Sequence, residues 1–415
     1  MKIKAITFES FLAFLLGLSV CEGITTILSV GSTIFTFSEV ISPIIFIFLV
    51  IKRSNTFLNF LRNIPLGFKL FFLLIIFSVF PCIARYGFDS IYRFLVGFIY
   101  LILVFTMAAN VYLLKEHKSS MLNGLTFGLG INLLYSLICY VAFNLGTTIT
   151  LEGVFDREGF YTPTLLFRTQ GFFLEPSHFI RFVAAIFLIV IVNRANKNVW
   201  LKLFWYVIAI FVLVQTFSGS IVILAIGVVF YFLVRKNKPK KQIKASSLFI
   251  VFLVAILCLL VTNQELISSF DDAFLRIITG ADITDEGNAA RFDSMKIVLE
   301  HFDVALLGCG WNQMGTLIEE NGLHIVSAFS DLLEMTMEVG VVGSLIYIIS
   351  VFSLAIKLIK IKTASSVAIA VSILMIFALQ IGTDYAFNTC IMFVFGLAVC
   401  ELVEKKERRL RENED

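Results

Sequence analysis

Apolar runs long enough to cross a membrane recur along the whole chain, separated by short polar gaps. Twelve are marked out, at about 5–22, 34–51, 66–84, 91–114, 121–143, 176–193, 200–217, 219–234, 245–262, 331–356, 365–383 and 386–402. A helix of about 17–25 apolar residues spans a hydrocarbon core of ~30 Å, so each run reads as one transmembrane helix. The pattern predicts an all-α polytopic membrane protein, one transmembrane domain over 1–415. Only two gaps are long enough to hold structure of their own, 144–175 and 263–330.

The polar gaps sort by charge. With the first span entering from inside, the gaps at 52–65, 115–120, 194–199, 235–244 and 357–364 share one face with both termini. They carry KRSNTF, KEHKSS, RANKN, RKNKPKKQIK and KLIKIK, and the tail carries EKKERRLRE. The positive-inside rule makes that face cytoplasmic and the two long loops external. The first run follows MKIK without a small-residue cleavage site and reads as a retained helix.

Composition agrees with the pattern. The 415 residues are 59% hydrophobic and 15% charged, with a mean hydropathy of +0.93. Soluble domains are nearer half apolar and a quarter charged. The net charge of +3 gives no reason to expect nucleic acid. The seven cysteines are scattered and form no C-x-x-C, so neither a disulfide framework nor a zinc site is expected. No Asp/His cluster in the outer loops points to a metal, and no cofactor is expected.

On the outer face the basic residues are Arg85, Arg93, Arg157, Arg168, Arg181, Arg276, Arg291 and Lys296. Arginine predominates there, whereas lysine predominates on the inner face. A guanidinium keeps its charge and offers a planar fork that fits phosphate. These arginines therefore either face an anionic ligand or pair with Asp156, Glu158, Asp271, Asp272 and Asp293.

The densest polar stretch is Arg168 to Arg181, RTQGFFLEPSHFIR, where the first long loop enters a helix. Pro176 suits the first helical turn. Glu175 and His178 then sit at the membrane surface and Arg181 about one turn inside. An arginine at a membrane helix centre costs roughly 2.5–3.5 kcal/mol on insertion scales, so Arg181 needs snorkelling, a carboxylate or an anionic ligand. In the second loop, DEGNAARFDSMKIVLEHF (285–302) reads as an amphipathic helix carrying Arg291. LLGCGWNQMG (306–315) is a glycine-punctuated turn, followed by a short helix through Glu319 and Glu320 toward His324. Each of these residues also has a structural reading. Glu175 could serve only the helix dipole, His178 the interface, and Arg291 and His324 an exposed surface. Glu39 and Asp384 lie in or beside spans with no partner evident in the sequence, and Gly124-x-x-x-Gly128 suggests close helix packing.

Three passages resemble the O-antigen polymerase (Wzy) family of the O-antigen polymerase/ligase superfamily. They are Arg168-x-x-Gly171-Phe172-Phe173-x-Glu175-Pro176-Ser177, then Asn288-Ala289-Ala290-Arg291 with Leu307-Gly308-Cys309-Gly310, then Glu338-Val339-Gly340-Val341-Val342-Gly343. Twelve spans with two large periplasmic or extracellular loops fit the same GT-C-like plan. The chain departs from the family in two places. His324 lies further upstream of Gly340 than the family's His-Asn pair. Ser218-Gly219-Ser220 stands where many ligases carry Ser-Arg, which leans toward a polymerase.

The resemblance implies a glycosyltransferase in the bacterial cytoplasmic (inner) membrane that takes an undecaprenyl-pyrophosphate-linked oligosaccharide and needs no metal. It implies polymerisation of O-antigen or capsule repeat units, with a chain-length regulator and a flippase as partners. Arg168, Arg181 and Arg291 would grip the departing pyrophosphate, with His178 beside them in the substrate-binding set. His324 or Glu175 would take the proton of the incoming sugar hydroxyl. The alternatives are a ligase that moves a finished glycan to a lipid or protein acceptor, and a transporter of lipid-linked sugars. A carrier would place its working polar groups near the bilayer midplane, often in repeated halves.

Overall fold

The computed structural model describes residues 7–21, 28–30, 33–147, 169, 171–173, 176–193, 209–213, 220–235, 300–321, 330–382 and 388–412. Helices dominate. In chain order they are α1 (Phe8–Ser19), α2 (Phe37–Lys52), α3 (Ser54–Asn63), α4 (Leu66–Phe77), α5 (Val79–Tyr86), α6 (Ile91–Leu113) and α7 (Lys118–Asn144). There follow α8 (Pro176–Asn193), α9 (Ser220–Val234), α10 (Phe302–Leu307), α11 (Met314–Glu320), α12 (Asp331–Ile359), α13 (Ala364–Gly382) and α14 (Thr389–Glu412). One small exception to the all-α expectation is an antiparallel ribbon, Leu28–Val30 (β1) against Thr33–Phe35 (β2), with Leu28 opposite Phe35. It falls in a β-branched run with Gly31 at its middle, a hairpin signal that the long apolar runs on either side overshadow.

Among the described residues, five segments are long and apolar enough to cross a membrane: Leu66–Tyr86, Phe88–Leu113, Lys115–Asn144, Asp331–Ile359 and Ala364–Ile381. A sixth arises if α2 and α3 count as one span, but they meet at 111°. Shorter apolar helices occur at Phe8–Ser19, His178–Asn193 and Ser220–Val234. The structure thus supplies five or six of the twelve expected spans outright. The runs at 200–217 and 245–262 fall largely outside the described residues.

One expectation changes. The gap at 52–65 is not a loop: α3 fills most of it. Phe57, Phe60 and Leu61 recur at helical spacing on the packed face, while Asn55, Asn59 and Arg62 lie on the other. Ile64 is extended, as a residue before proline tends to be, and the helix ends there. The run at 66–84 is found as one span, Leu66–Tyr86, built of two helices, α4 and α5, that meet at Ser78.

Small residues set the closest helix contacts. A Cβ on Gly17 would lie 2.0 Å from the Met121 carbonyl, and one on Gly124 would lie 2.0 Å from that of Phe14. At Gly128 a Cβ would meet the Cys21 sulfur at 2.5 Å. The G-x-x-x-G of α7 is thus the groove in which α1 lies backbone to backbone.

Glu39 finds the partners that the sequence did not reveal. It is the third residue of α2, and Oε2 accepts from the Thr36 N–H at 2.8 Å in a capping box. Oε1 accepts from the Tyr100 hydroxyl of α6 at 2.5 Å. A polar seam continues along α2 through Ser38–Thr389 (2.7 Å), Ser42–Thr106 (2.9 Å) and Asn110 Nδ2 on the Ser42 carbonyl (2.7 Å). Asp384 lies outside the described residues.

The charges collect at the two ends of the bundle. At one end Glu9 joins Lys52, Arg53 and His117, Lys115 pairs with Glu407, and Lys118 pairs with Glu401. α6, α7 and α12 run from there to the opposite end, which carries Ser90, Arg93, α11 and the start of α12.

Candidate functional site

The glycine turn at 308–313 is wedged among three helices at that opposite end. Its backbone amides bond outward in order. Cys309 donates to the Met337 carbonyl (2.8 Å), Gly310 to that of Glu338 (3.0 Å) and Trp311 to the Ser78 hydroxyl (3.0 Å). The side chains continue the pattern: Asn312 Nδ2 reaches the Arg93 carbonyl at 2.8 Å and Gln313 Nε2 reaches that of Ser90 at 3.2 Å. The acceptors on α12 are available because that helix breaks at Gly340 (φ 82°, ψ 165°). A helix interrupted in this way frees the carbonyls of the preceding turn, which must bond elsewhere when buried.

Gly308 and Gly340 face one another across this contact. A Cβ on Gly308 (φ +86°) would lie 2.5 Å from the Glu338 carbonyl oxygen. On Gly340 a Cβ would lie 2.9 Å from the Leu306 carbonyl. The L-G-C-G and E-x-G-x-x-G passages, some thirty residues apart in the chain, are therefore the two halves of one joint.

Glu338 completes the joint. Its residue is 4% exposed, and Oε1 accepts from the Met314 N–H at 3.2 Å. The amides of Asn312 and Gln313 also face the carboxylate, which therefore holds the turn that leads into α11. Beside it, burial pushes the Cys309 thiol above its usual range, and the negative charge of Glu338 acts in the same direction. That thiol is fully buried and packs in a cluster with Val304, Ala305 and Met314.

The second element of the site is the approach to α8. Thr169 donates its hydroxyl hydrogen to the Val212 carbonyl at 2.6 Å. The Gly171 N–H donates to Ser136 Oγ (3.0 Å) and the Phe172 N–H to Asn132 Oδ1 (2.8 Å), both on α7. Gly171 has φ +57° and a Cβ there would lie 2.6 Å from Asn132 Oδ1, so glycine is what lets the chain approach. The Phe172 ring stacks on Tyr135, and Phe173 packs on Phe179 and Phe182 of α8. The G-F-F triplet thus pins the loop end to α7 and α8.

Of the predicted site residues, His178 and Arg181 are described. His178 is half-buried near the start of α8. Arg181 lies one turn further, 8% exposed among the buried Phe179, Ile180, Phe182 and Val183. It is enclosed by protein and does not snorkel along a lipid-facing surface. Arg168, Glu175, Arg291 and His324 lie outside the described residues, as does most of the helix expected over 285–302. The short helix expected through Glu319 and Glu320 corresponds to α11.

One outer arginine already has its anion. The Arg93 guanidinium bonds Thr316 Oγ1 at 2.9 Å and Glu319 Oε2 at 3.0 Å, tying α6 to α11. Glu319 was not among the acids that sequence proximity suggested. Arg85 lies 5.6 Å from the centroid of the Tyr86 ring.

A family model described as O-antigen ligase (Wzy_C) matches residues 203–348. The matched segment contains both glycine passages, Glu338 and α9 to α11. It ends within α12, just past the Gly340 break, and leaves the 168–181 stretch on its N-terminal side. The match supports the O-antigen polymerase/ligase superfamily and a membrane enzyme that processes glycans. No curated protein matches the chain in sequence.

Proposed function

We propose that this protein is a polysaccharide polymerase. In this reading it is a glycosyltransferase joining undecaprenyl-pyrophosphate-linked repeat units, O-antigen or capsule, at the outer face of the cytoplasmic membrane. The observation that carries the reading is Arg181, a guanidinium enclosed in an apolar helix one turn below the docked G-F-F triplet. Charge so enclosed is costly and characteristic of function, and in a low dielectric it acts strongly on any anion nearby. A pyrophosphate leaving at headgroup depth develops negative charge there, which fixed cations stabilise. Arg168 and Arg291 complete the clamp in this proposal, with His178 at the donor and His324 or Glu175 as the base. The scheme needs no metal, so activity should persist in EDTA-treated membranes.

The second reading, a ligase, is favoured by the description of the matching family model. Ser218-Gly219-Ser220 leans the other way. Glycan profiling of a deletion strain complemented with wild type, Arg181→Ala or Arg291→Ala separates the possibilities. A polymerase predicts single capped units on the surface in the deletion and in both variants. Unligated polymer would establish the ligase, absence of any surface unit would point to a transporter, and normal chain lengths in both variants would refute the clamp.

A further inference from the structure

The helix α10 belongs to the second long loop, yet it meets α12 at the depth of the membrane. Between Val339 and Ile356 α12 carries no charged residue, and Lys357 closes that run at the cytoplasmic end. At about 1.5 Å per residue, Gly340 stands about 25 Å from Lys357, short of the ~30 Å of a hydrocarbon core. The backbone of Leu306 and Leu307 lies against α12 at this level. A Cβ on Gly340 would be 2.9 Å from the Leu306 carbonyl oxygen and 3.1 Å from that of Leu307. The neighbouring helix α4 gives the same depth independently. Gly67 abuts Ser350 and Gly343 abuts Leu74, so α4 runs antiparallel to α12 and Phe77 comes level with Gly340. The Trp311 N–H then meets Ser78, the next residue along.

At that depth the outward surface is apolar. Val304 and Ala305 of α10 are buried, whereas Leu306 is 58% and Leu307 75% exposed. An exposed leucine is unremarkable in water, and it is the depth that gives these two a meaning. Phe77 and Phe80 are exposed at the same level. On α12 a stripe at helical spacing, Val342, Leu345, Ile349, Phe352 and Ile356, is exposed along the length of the span and ends at its outer tip beside α10. A segment inside hydrocarbon must satisfy its backbone within the protein, and this one does. Gly308 donates to the Val304 carbonyl at 2.7 Å, and the next two amides bond α12.

We propose that the end of α10 re-enters the membrane, with Leu306 and Leu307 inserted among the acyl chains of the outer leaflet. Its partner is lipid hydrocarbon, continuous with that against the exposed stripe of α12. The second loop is then anchored in the bilayer and is not a cap standing free in water. The glycine turn is held on one side by α12 and at its base by lipid. The exposed acids of the loop, Glu319 and Glu320, follow on α11, where Glu319 pairs with Arg93. This inference holds for a polymerase and a ligase alike, since it concerns where the loop sits and not what the enzyme transfers.

The test places Leu307→Cys, Val342→Cys and Glu320→Cys separately in the full-length protein, with wild type run in parallel to set the background of native thiols. Each is tagged with bimane and held in phosphatidylcholine nanodiscs, where both faces are open to reagents. Lipid brominated along its acyl chains should quench Leu307→Cys as it does Val342→Cys and leave Glu320→Cys bright. Aqueous iodide should quench only Glu320→Cys. Untagged protein should agree: a membrane-impermeant maleimide should label Glu320→Cys and spare Leu307→Cys until the sample is dissolved in SDS. Leu306→Cys serves as a second position, and gel filtration before each assay shows that the variant is folded. Iodide quenching or maleimide labelling at Leu307→Cys equal to that at Glu320→Cys would place these leucines in a water-filled vestibule and overturn the proposal. Protection from both iodide and brominated lipid would overturn it too, by showing that protein covers them.

Discussion

Gly308 shows how much a single residue decides here. It needs a left-handed backbone conformation, and its missing Cβ leaves room for a carbonyl that would otherwise sit 2.5 Å away. Either demand alone disfavours alanine, and together they should cost of order 1–3 kcal/mol. Gly308→Ala should therefore lower Tm of the purified protein by several degrees and reduce polymer formation. Gly315→Ala, where nothing lies within 4 Å of the methyl group it would add, should match wild type in both measurements. Equal behaviour of the two variants would mean that the Gly308–Gly340 joint is not as close as described. Glu338 belongs to the same joint, and a carboxylate serving several backbone amides explains why an acid occurs inside an apolar helix. A polymer-deficient Glu338 variant would report on the turn first and on chemistry second.

At the scale of elements, the helices are held by backbone proximity where glycines allow it and by polar side chains where they do not. α1 is a short apolar helix, and its closest contact is with the groove of α7. Gly124→Leu would drive a branched side chain into the Phe14 carbonyl, and overpacking of this kind costs about 1–3 kcal/mol. Poorer recovery of folded protein from membranes, and a Tm drop exceeding that of Gly315→Leu, where nothing lies within 4 Å of the added Cβ, would confirm it. The reverse order would show that the α1–α7 contact is dispensable. The Arg93–Glu319 pair also joins elements, but both side chains are about half exposed or more, and exposed pairs contribute only about 0.2–1 kcal/mol. Its role is to set where α11 lies, more than to stabilise the fold.

For the whole molecule, the charges divide into a lysine-rich end and an end holding the glycine turn and the start of α8. The positive-inside rule assigns the first to the cytoplasm. Single cysteines at Asn55 and Gly87, both exposed and at opposite ends, provide the check in a background lacking the native cysteines. A membrane-impermeant maleimide applied to whole cells with permeabilised outer envelopes should label Gly87→Cys and spare Asn55→Cys. The opposite labelling would invert the topology and move the proposed active site to the cytoplasmic face.

The sequence alone determined the class of the protein and the order of its main helices. Both depend on local hydropathy and spacing, which are written residue by residue. It also marked the passages around Gly171, Gly308 and Gly340, since positions that need glycine stand out in a chain otherwise filled with bulky apolar residues. The partners of those passages were not legible. That the Trp311 amide meets Ser78, that Glu39 meets Tyr100, and that Arg93 pairs with Glu319 and not with a nearer acid are contacts between segments distant in the chain. Nor could hydropathy show that α2 turns through 111° into α3, because a short amphipathic segment averages to the polarity of a loop. Tertiary packing decided these points. Inside a bilayer every buried polar group must find its partner within the protein, and which one it finds depends on how the helices cross.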